Sequence, residues 1–334
     1  MKELQAIAQT ILATPEAPPG ILATLVSADG SSYRRPGARL LIRADGTRCG
    51  SISGGCLEED VIARAERVRA TGTAEAVVYD TTSENDIVWG VGLGCHGIIR
   101  VLIEPLPQRP LWEKLAANFH ARRMTQLAVV HRALDAAKLG TRLATAAASE
   151  VGNSSQDVFW ENVPPPTSLV VFGAGDDAMP LARLVRELGW QVTIADPRPA
   201  FATTARFPMA NVVVAASEHQ LLGCVLLGPA SFVVVMTHHY IHDVPLLRGL
   251  LQQPLAYLGL LGPRKRADKI LADLEQQGVS VTPQQRARLH APVGLDLGTD
   301  SPEEVALAIT AEMQAVLTGR DARPLRERLR PIHG

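Results

Sequence analysis

One stretch of the chain, residues 169–196, constrains the fold more than any other. The apolar run Leu169-Val170-Val171-Phe172 leads into Gly173-Ala174-Gly175-Asp176-Asp177-Ala178, which has the G-x-G-x-x-A spacing. A helical pattern follows over 180–188, then a second apolar run over 191–195 that ends at Asp196. Strand, glycine turn, helix and strand in that order predict a βαβ unit with parallel strands and a right-handed crossover. Further strands are predicted at 212–215, 232–236 and 256–260, and a last helix at 302–317, with Ser301 as N-cap and Pro302 at the first helical position. Residues 168–320 are therefore expected to form a Rossmann-like, doubly wound parallel sheet, entered through a proline-rich linker at 161–167 and left through a basic tail at 321–334.

The glycine turn is a stronger signal for the fold than for a ligand. Phosphate is drawn to a helix N-terminus by free N–H groups and by the macrodipole. Here Asp176 and Asp177 put two carboxylates in that turn, and Pro180 removes a donor. The bland alternative is that both acids only cap the helix. Asp196 stands where a ribose-binding acid belongs, and Arg198 beside it would suit a 2′-phosphate.

Residues 1–160 carry another pattern, expected to give a mixed α/β domain. Helical spacing appears over 4–12, 57–68 and 111–122, and strand-like runs over 21–27, 38–42, 49–52, 76–79, 98–103 and 126–131. Asp45-Gly46 predicts a hairpin turn. The stretch from 132 to 162 shows no clear period.

With 334 residues, two domains are the natural expectation. Lys and Arg (33) almost cancel Asp and Glu (34), so net charge points to neither nucleic acid nor an anionic membrane as a partner. No apolar stretch is long enough to span a bilayer, and the opening Met1-Lys2-Glu3-Leu4-Gln5 lacks the apolar run of a signal peptide. The four cysteines form no C-x-x-C pair. Free thiols in a cytoplasmic protein are expected.

Four other clusters could carry chemistry. Gly54-Gly55-Cys56 opens a helix with acidic first-turn residues; glycines there make an amide nest, and the dipole favours a thiolate at Cys56. A small buried cysteine is the alternative. Trp89-Gly90-Val91-Gly92-Leu93-Gly94-Cys95-His96-Gly97 has four glycines in nine positions, so it reads as a loop whose amides can approach a ligand, with Cys95 as a second soft donor, or as a turn needed only for packing. Thr237-His238-His239-Tyr240-Ile241-His242-Asp243 follows a parallel strand, where ligands collect; His238 and Asp243 are the candidates, and an extended segment would splay the three histidines away from a common metal. Gly262-Pro263-Arg264-Lys265-Arg266 resembles a phosphate grip led by Arg264, or else a solvated helix start.

In order along the chain, Gly30-Ser31-Ser32, Arg35-Pro36-Gly37-Ala38, the segments 50–60 and 89–97, Glu104-Pro105, the glycine turn at 171–175, Asp196-Pro197-Arg198, Thr237-His238 with Asp243, and the segments 257–266, 292–296 and 301–313 resemble the XdhC/CoxI family of xanthine dehydrogenase accessory proteins. The chain departs from that pattern at Asp176-Asp177, where the family usually has a histidine and an apolar residue, and at His96 and Pro263. The resemblance implies a homodimeric chaperone without turnover of its own. Its ligand would be the molybdenum cofactor, as molybdopterin or its dinucleotide form. Such a protein shelters the cofactor while a cysteine desulfurase supplies its sulfido ligand, then delivers it to an apo-molybdoenzyme of the xanthine dehydrogenase family. Cys56 and Cys95 become the favoured contacts to molybdenum or its sulfur, with Gly54, Gly55, Gly92 and Gly94 around them and Gly173, Gly175, Asp196, Arg198, His238, Asp243 and Arg264 as cofactor-binding residues of the second half. The competing expectations are an NAD(P)-dependent oxidoreductase, which the chain supports with its glycine turn but not with a Tyr-x-x-x-Lys pair, and a redox sensor built on the two thiols.

Overall fold

The computed structural model describes residues 2–14, 18, 20–30, 32–80, 97–144 and 156–329. The chain divides into two compact units, Met1–Pro166 and Thr167–Gly334.

The first unit begins with α1 (Lys2–Ala13), β1 (Ile21–Gly30), β2 (Arg39–Ile42), β3 (Arg48–Gly50), α2 (Glu58–Thr71), β4 (Glu75–Asp80) and β5 (Gly97–Pro105). The five strands form one antiparallel sheet in the order β3-β2-β1-β5-β4. Along β1 the side chains alternate between two buried faces. Ile21, Ala23 and Leu25 pack with Val61, Ala65 and Val68 of α2. Leu22 points the other way, into a cluster with Ile7 of α1 and Leu41. The helix α2 stops where Gly72 enters the left-handed region at φ 68° and returns its N–H to Val68 O.

Next come α3 (Arg109–His120), β6 (Thr125–Arg132), β7 (Gly140–Leu143) and β8 (Asp157–Val163). The last three strands pair antiparallel in the order β7-β6-β8. The sequence shows no clear period between 132 and 162, yet that stretch supplies two strands. Both lie at the edges of a small sheet, where half-buried, polar-rich residues blur the alternation. Glu161, Asn162 and Val163, read from sequence as the start of a linker, are the end of β8; Val163 pairs with Thr125.

A buried polar cluster lies on the second face of the larger sheet. Arg39 is 1% exposed; its Nη2 donates to Glu161 at 2.5 Å and its Nη1 to Gly37 O at 2.9 Å. Glu104, 4% exposed, accepts from the Thr141 N–H at 2.8 Å and hydroxyl at 2.5 Å. Burial outweighs these bonds and pushes the Glu104 carboxyl up to about 7. A carboxyl raised on folding costs stability as pH climbs, because the unfolded chain releases a proton that the folded one still holds. The cost begins near pH 4.5 and is complete near pH 7, and amounts to about 3 kcal/mol over that window. Glu104→Gln is expected to flatten the slope, so urea unfolding at pH 5 and pH 8 should give nearly equal stabilities. A slope unchanged from the parent would assign it to other groups.

The second unit contains β9 (Ser168–Phe172), α4 (Ala178–Glu187), β10 (Gln191–Asp196), β11 (Val212–Ala215), α5 (Glu218–Leu221), β12 (Ser231–Val235), α6 (Tyr240–Leu251), β13 (Tyr257–Leu260), α7 (Arg264–Gln276), α8 (Pro283–Ala287), β14 (Leu289–His290) and α9 (Pro302–Thr318). All six strands are parallel, in the order β11-β10-β9-β12-β13-β14. Numbered within the unit this is 3-2-1-4-5-6, the Rossmann order, whose switch point falls between β9 and β12. Leu181 and Val185 of α4 and Ile309 and Met313 of α9 cover one face. Leu247 and Leu250 of α6 and Ile270 and Leu274 of α7 cover the other. The start of α9 is fixed by a capping box between Ser301 and Glu304.

Sequence patterning misses α6 because Pro245 lies inside it and histidines crowd its start. The segment after β12 is thus not extended throughout. His239 is the N-cap of α6, and the His239 and His242 rings meet edge to face at 5.2 Å. Among the described residues no helix is long and apolar enough to cross a membrane.

Candidate functional site

Each unit presents one region where the residues singled out from sequence are gathered. In the first unit it is the loop between β3 and α2, which meets the turn after β1 at Tyr33. β3 stops short of the far end of β1: Gly50 pairs with Leu40 and Leu40 with Ala23, seven residues before Gly30, which pairs with Gly97 at the start of β5. The chain leaves β3 through Gly50, at φ 89°, where a Cβ would lie 2.2 Å from Arg39 O, so only glycine fits. The following loop is held by Glu58. Its Oε1 accepts from the Ser51 hydroxyl at 3.0 Å and the Ser53 N–H at 2.9 Å, and its Oε2 accepts from the Ser53 hydroxyl. Ser53 Oγ in turn accepts from the Gly55 and Leu57 amides at 3.1 and 3.2 Å. Burial would raise the Glu58 carboxyl, but these serine bonds together hold it below its ordinary value. Gly54, Gly55 and Cys56 are left exposed on this frame, with the Tyr33 ring beside Gly54.

Cys56 stands one residue before Leu57, the N-cap of α2. Cys49 differs: it is half-buried against the α1 cluster, and burial pushes its thiol up. Cys224 is exposed in the turn after α5 of the second unit. Cys95, with Gly92, Gly94, Trp89 and His96, lies outside the described residues. Its flanking strand ends pair at the far end of β1, Gly97 with Gly30 and Asp80 with Ile98.

In the second unit the switch point is built from Gly173. At φ 122°, it brings the end of β9 so close to β12 that a Cβ would lie 2.4 Å from Met236 O. Asp196, at the end of β10, is 1% exposed and fully engaged. Its Oδ2 accepts from the Ala174 N–H and from Arg198 Nη2, both at 2.7 Å; its Oδ1 accepts from the Arg198 N–H at 2.8 Å and Nε at 2.9 Å. Burial alone would raise this carboxyl; the Arg198 and Ala174 donors outweigh it and hold it low.

Asp177 lies over the glycine turn, its Oδ1 2.6 Å from where a Cβ on Gly175 would stand. Its Oδ2 is 2.6 Å from His238 Nε2. That bond holds the imidazole above its ordinary value, against burial. His238 has φ 59°, rare for a residue with a side chain, and its carbonyl accepts from Arg266 Nη1 at 3.3 Å. Asp243, 1% exposed, accepts from Thr237 Oγ1 at 2.5 Å and from Arg266 Nε at 3.0 Å. Arg264 is exposed.

A family model described as the XdhC Rossmann domain matches residues 169–313, and one described as the XdhC and CoxI family matches residues 15–80. A probable xanthine dehydrogenase subunit of Bacillus subtilis (strain 168) is 33% identical over 311 residues, covering 88% of this chain and 92% of that protein. The chain belongs to the XdhC and CoxI family. The molybdenum cofactor insertion chaperone PaoD of Escherichia coli (strain K12) is 24% identical over 304 residues, covering 89% of this chain and 83% of its own. A solved structure of a xanthine dehydrogenase from Bacillus halodurans matches with a TM-score of 0.80 at 28% identity, covering 98% of this chain and 99% of that one.

Within this XdhC and CoxI protein the structure sorts the sequence candidates into two groups. Gly54, Gly55 and Cys56 stand together in the first unit. Gly173, Gly175, Asp196, Arg198, His238 and Asp243 converge at the switch point of the second. Sequence reasoning misses the supports: Ser53 and Glu58 under the cysteine loop, and Arg266 under Asp243. The Ser51, Ser53 and Glu58 spacing was the available signal, since an acid at the first position of a helix can reach back to the loop before it.

Proposed function

We propose that the chain carries the molybdenum cofactor as cargo and hands it to an apo-molybdoenzyme of the xanthine dehydrogenase family. The observation that carries this reading is the exposed Cys56, raised on a glycine loop that Ser53 and Glu58 hold rigid. A soft thiolate suits molybdenum or its sulfur, and the amides around Gly54 and Gly55 suit an anionic end of the same molecule. Among the described residues no group of three or more His, Cys, Asp or Glu could chelate a metal ion. In this reading the protein is a cytoplasmic homodimer that receives the cofactor, exposes it to a cysteine desulfurase and releases it without turnover. Cys95 supplies the second thiol.

The nicotinamide reading is weaker. Asp196 has no acceptor position left for ribose hydroxyls, since its four bonds fill the usual capacity of a carboxylate. Asp177 already occupies the turn that would take pyrophosphate.

Purification from cells competent in molybdopterin synthesis, followed by oxidation of the bound pterin to a fluorescent form, tests the proposal. About one pterin per protomer is expected. Protein free of pterin, and unable to take it up from a loaded donor, would refute it.

A further inference from the structure

The second unit contains a cavity that the cargo reading does not use. It opens at the ends of β10 and β12, has a volume of about 250 Å³, and is lined by Pro197, Leu221, Pro245 and Leu246 with Arg198 and His239 among its polar walls. Crevices beyond the C-terminal ends of parallel strands, at a switch point, are where such sheets bind ligands. This one is small by the standard of ligand pockets, roughly 300–1,000 Å³, so it suits one nucleoside rather than two.

Two features restrict what can enter. Arg198 is set before any ligand arrives, since Asp196 holds its Nε and Nη2, and its guanidinium lies 4.1 Å from the centre of the Phe201 ring. The side chain is still 41% exposed, and its Nη1 has no protein partner among the described residues. It is a guanidinium placed for a single anion. By contrast, the site at the start of α4, where a dinucleotide lays its pyrophosphate, already holds a carboxylate. Asp177 covers Gly175, and His238 fastens it there.

We propose that this cavity binds a nucleoside monophosphate, with base and ribose between the ends of β10 and β12 and the phosphate on Arg198, and that Asp177 excludes dinucleotides. The base lies against the apolar walls, and its polar edge meets His239 and the Nε2 side of His242, whose Nδ1 is 2.7 Å from Glu218 on the same wall. This concerns the second unit alone and stands apart from the thiol loop of the first, so pterin retention and nucleotide binding can fail separately.

Isothermal titration of the full-length protein with AMP, CMP, ADP and NAD⁺ tests it. AMP or CMP is expected to bind below millimolar, with ADP and NAD⁺ at least about tenfold weaker. Arg198→Ala and the exposed-wall variant His239→Trp should each weaken the monophosphate about tenfold, while Asp177→Ala should bring ADP and NAD⁺ to within about threefold of it. If Arg198→Ala does not fold, Arg198→Lys must show the weakening, because lysine loses the fixed fork. The proposal is overturned if neither monophosphate binds, if NAD⁺ matches AMP in the parent, or if the Arg198 and Asp177 variants leave the affinities unchanged.

Discussion

Gly173→Ala is expected to cost the second unit more than about 4 kcal/mol, or to prevent it from folding. Two penalties coincide. The residue has φ 122°, where side chains are rarely tolerated, and its Cβ would meet Met236 O at 2.4 Å, Met236 C at 2.6 Å and Thr237 N at 3.0 Å. Every one of these atoms is backbone, so no rotamer change relieves the clash. Nor can the strand move aside: the Gly173 N–H donates to Ala195 O at 2.9 Å and the Met236 N–H to Phe172 O at 2.7 Å, pinning β9 between β10 and β12. A domain holds only about 5–15 kcal/mol in total. Gly319→Ala, in the same unit, is the control, being left-handed at φ 64° with nothing within 4 Å, and should cost about 1–2 kcal/mol. Amide exchange across β9 and β12 reads the difference. Protection in Gly173→Ala equal to that of the parent would mean that the turn is not as tight as described.

Glu161→Ala should destabilise the first unit by about 3 kcal/mol at neutral pH. Arg39 is 1% exposed, and Glu161, at 2.5 Å, is its carboxylate partner. Removing one half of a buried pair leaves the other charge unsolvated, which costs far more than the pair contributes when intact. The Arg39 Nε already lacks a partner, and Glu104, raised by burial, is a poor substitute. Glu161→Gln keeps a hydrogen-bond acceptor and should lose about half as much. Replacing both partners, as Arg39→Met with Glu161→Leu, should recover most of the loss. Urea unfolding of the four proteins gives these values directly, and equal costs for the alanine and glutamine variants would show that the charge is not what matters.

The parts of the fold that could be read from sequence are those where local chemistry and global topology agree. The βαβ unit is legible because a glycine turn between two apolar runs has few other uses. The α9 start is legible because Ser301, Pro302 and Glu304 each favour it for a separate reason. By contrast β8 is hidden. Its exposed Asp157 and Trp160 interrupt the pattern, and its chief role, delivering Glu161 to Arg39, depends on a partner 122 residues away.

The second unit's crevice was half legible. Two acids beside the glycine turn announce that phosphate meets like charge, but nothing in the order of residues says that His238, 61 positions on, completes the plug. That contact exists only because β9 and β12 are neighbours in the sheet. The commitment of Asp196 was open to inference, since residues two apart on an extended segment share a side and Arg198 is such a neighbour. Family resemblance supplied the cofactor and its recipient, which no spacing of residues could.

Cys56 is proposed to touch the cofactor. Pterin and molybdenum bound per protomer, measured side by side in the parent, Cys56→Ala, Cys95→Ala and the double variant after loading in the same cells, tests it most directly. Each single substitution is expected to lower retention at least about fivefold, with the thermal midpoint of Cys56→Ala unchanged because Cys56 is exposed. Full retention in both singles and in the double would contradict it.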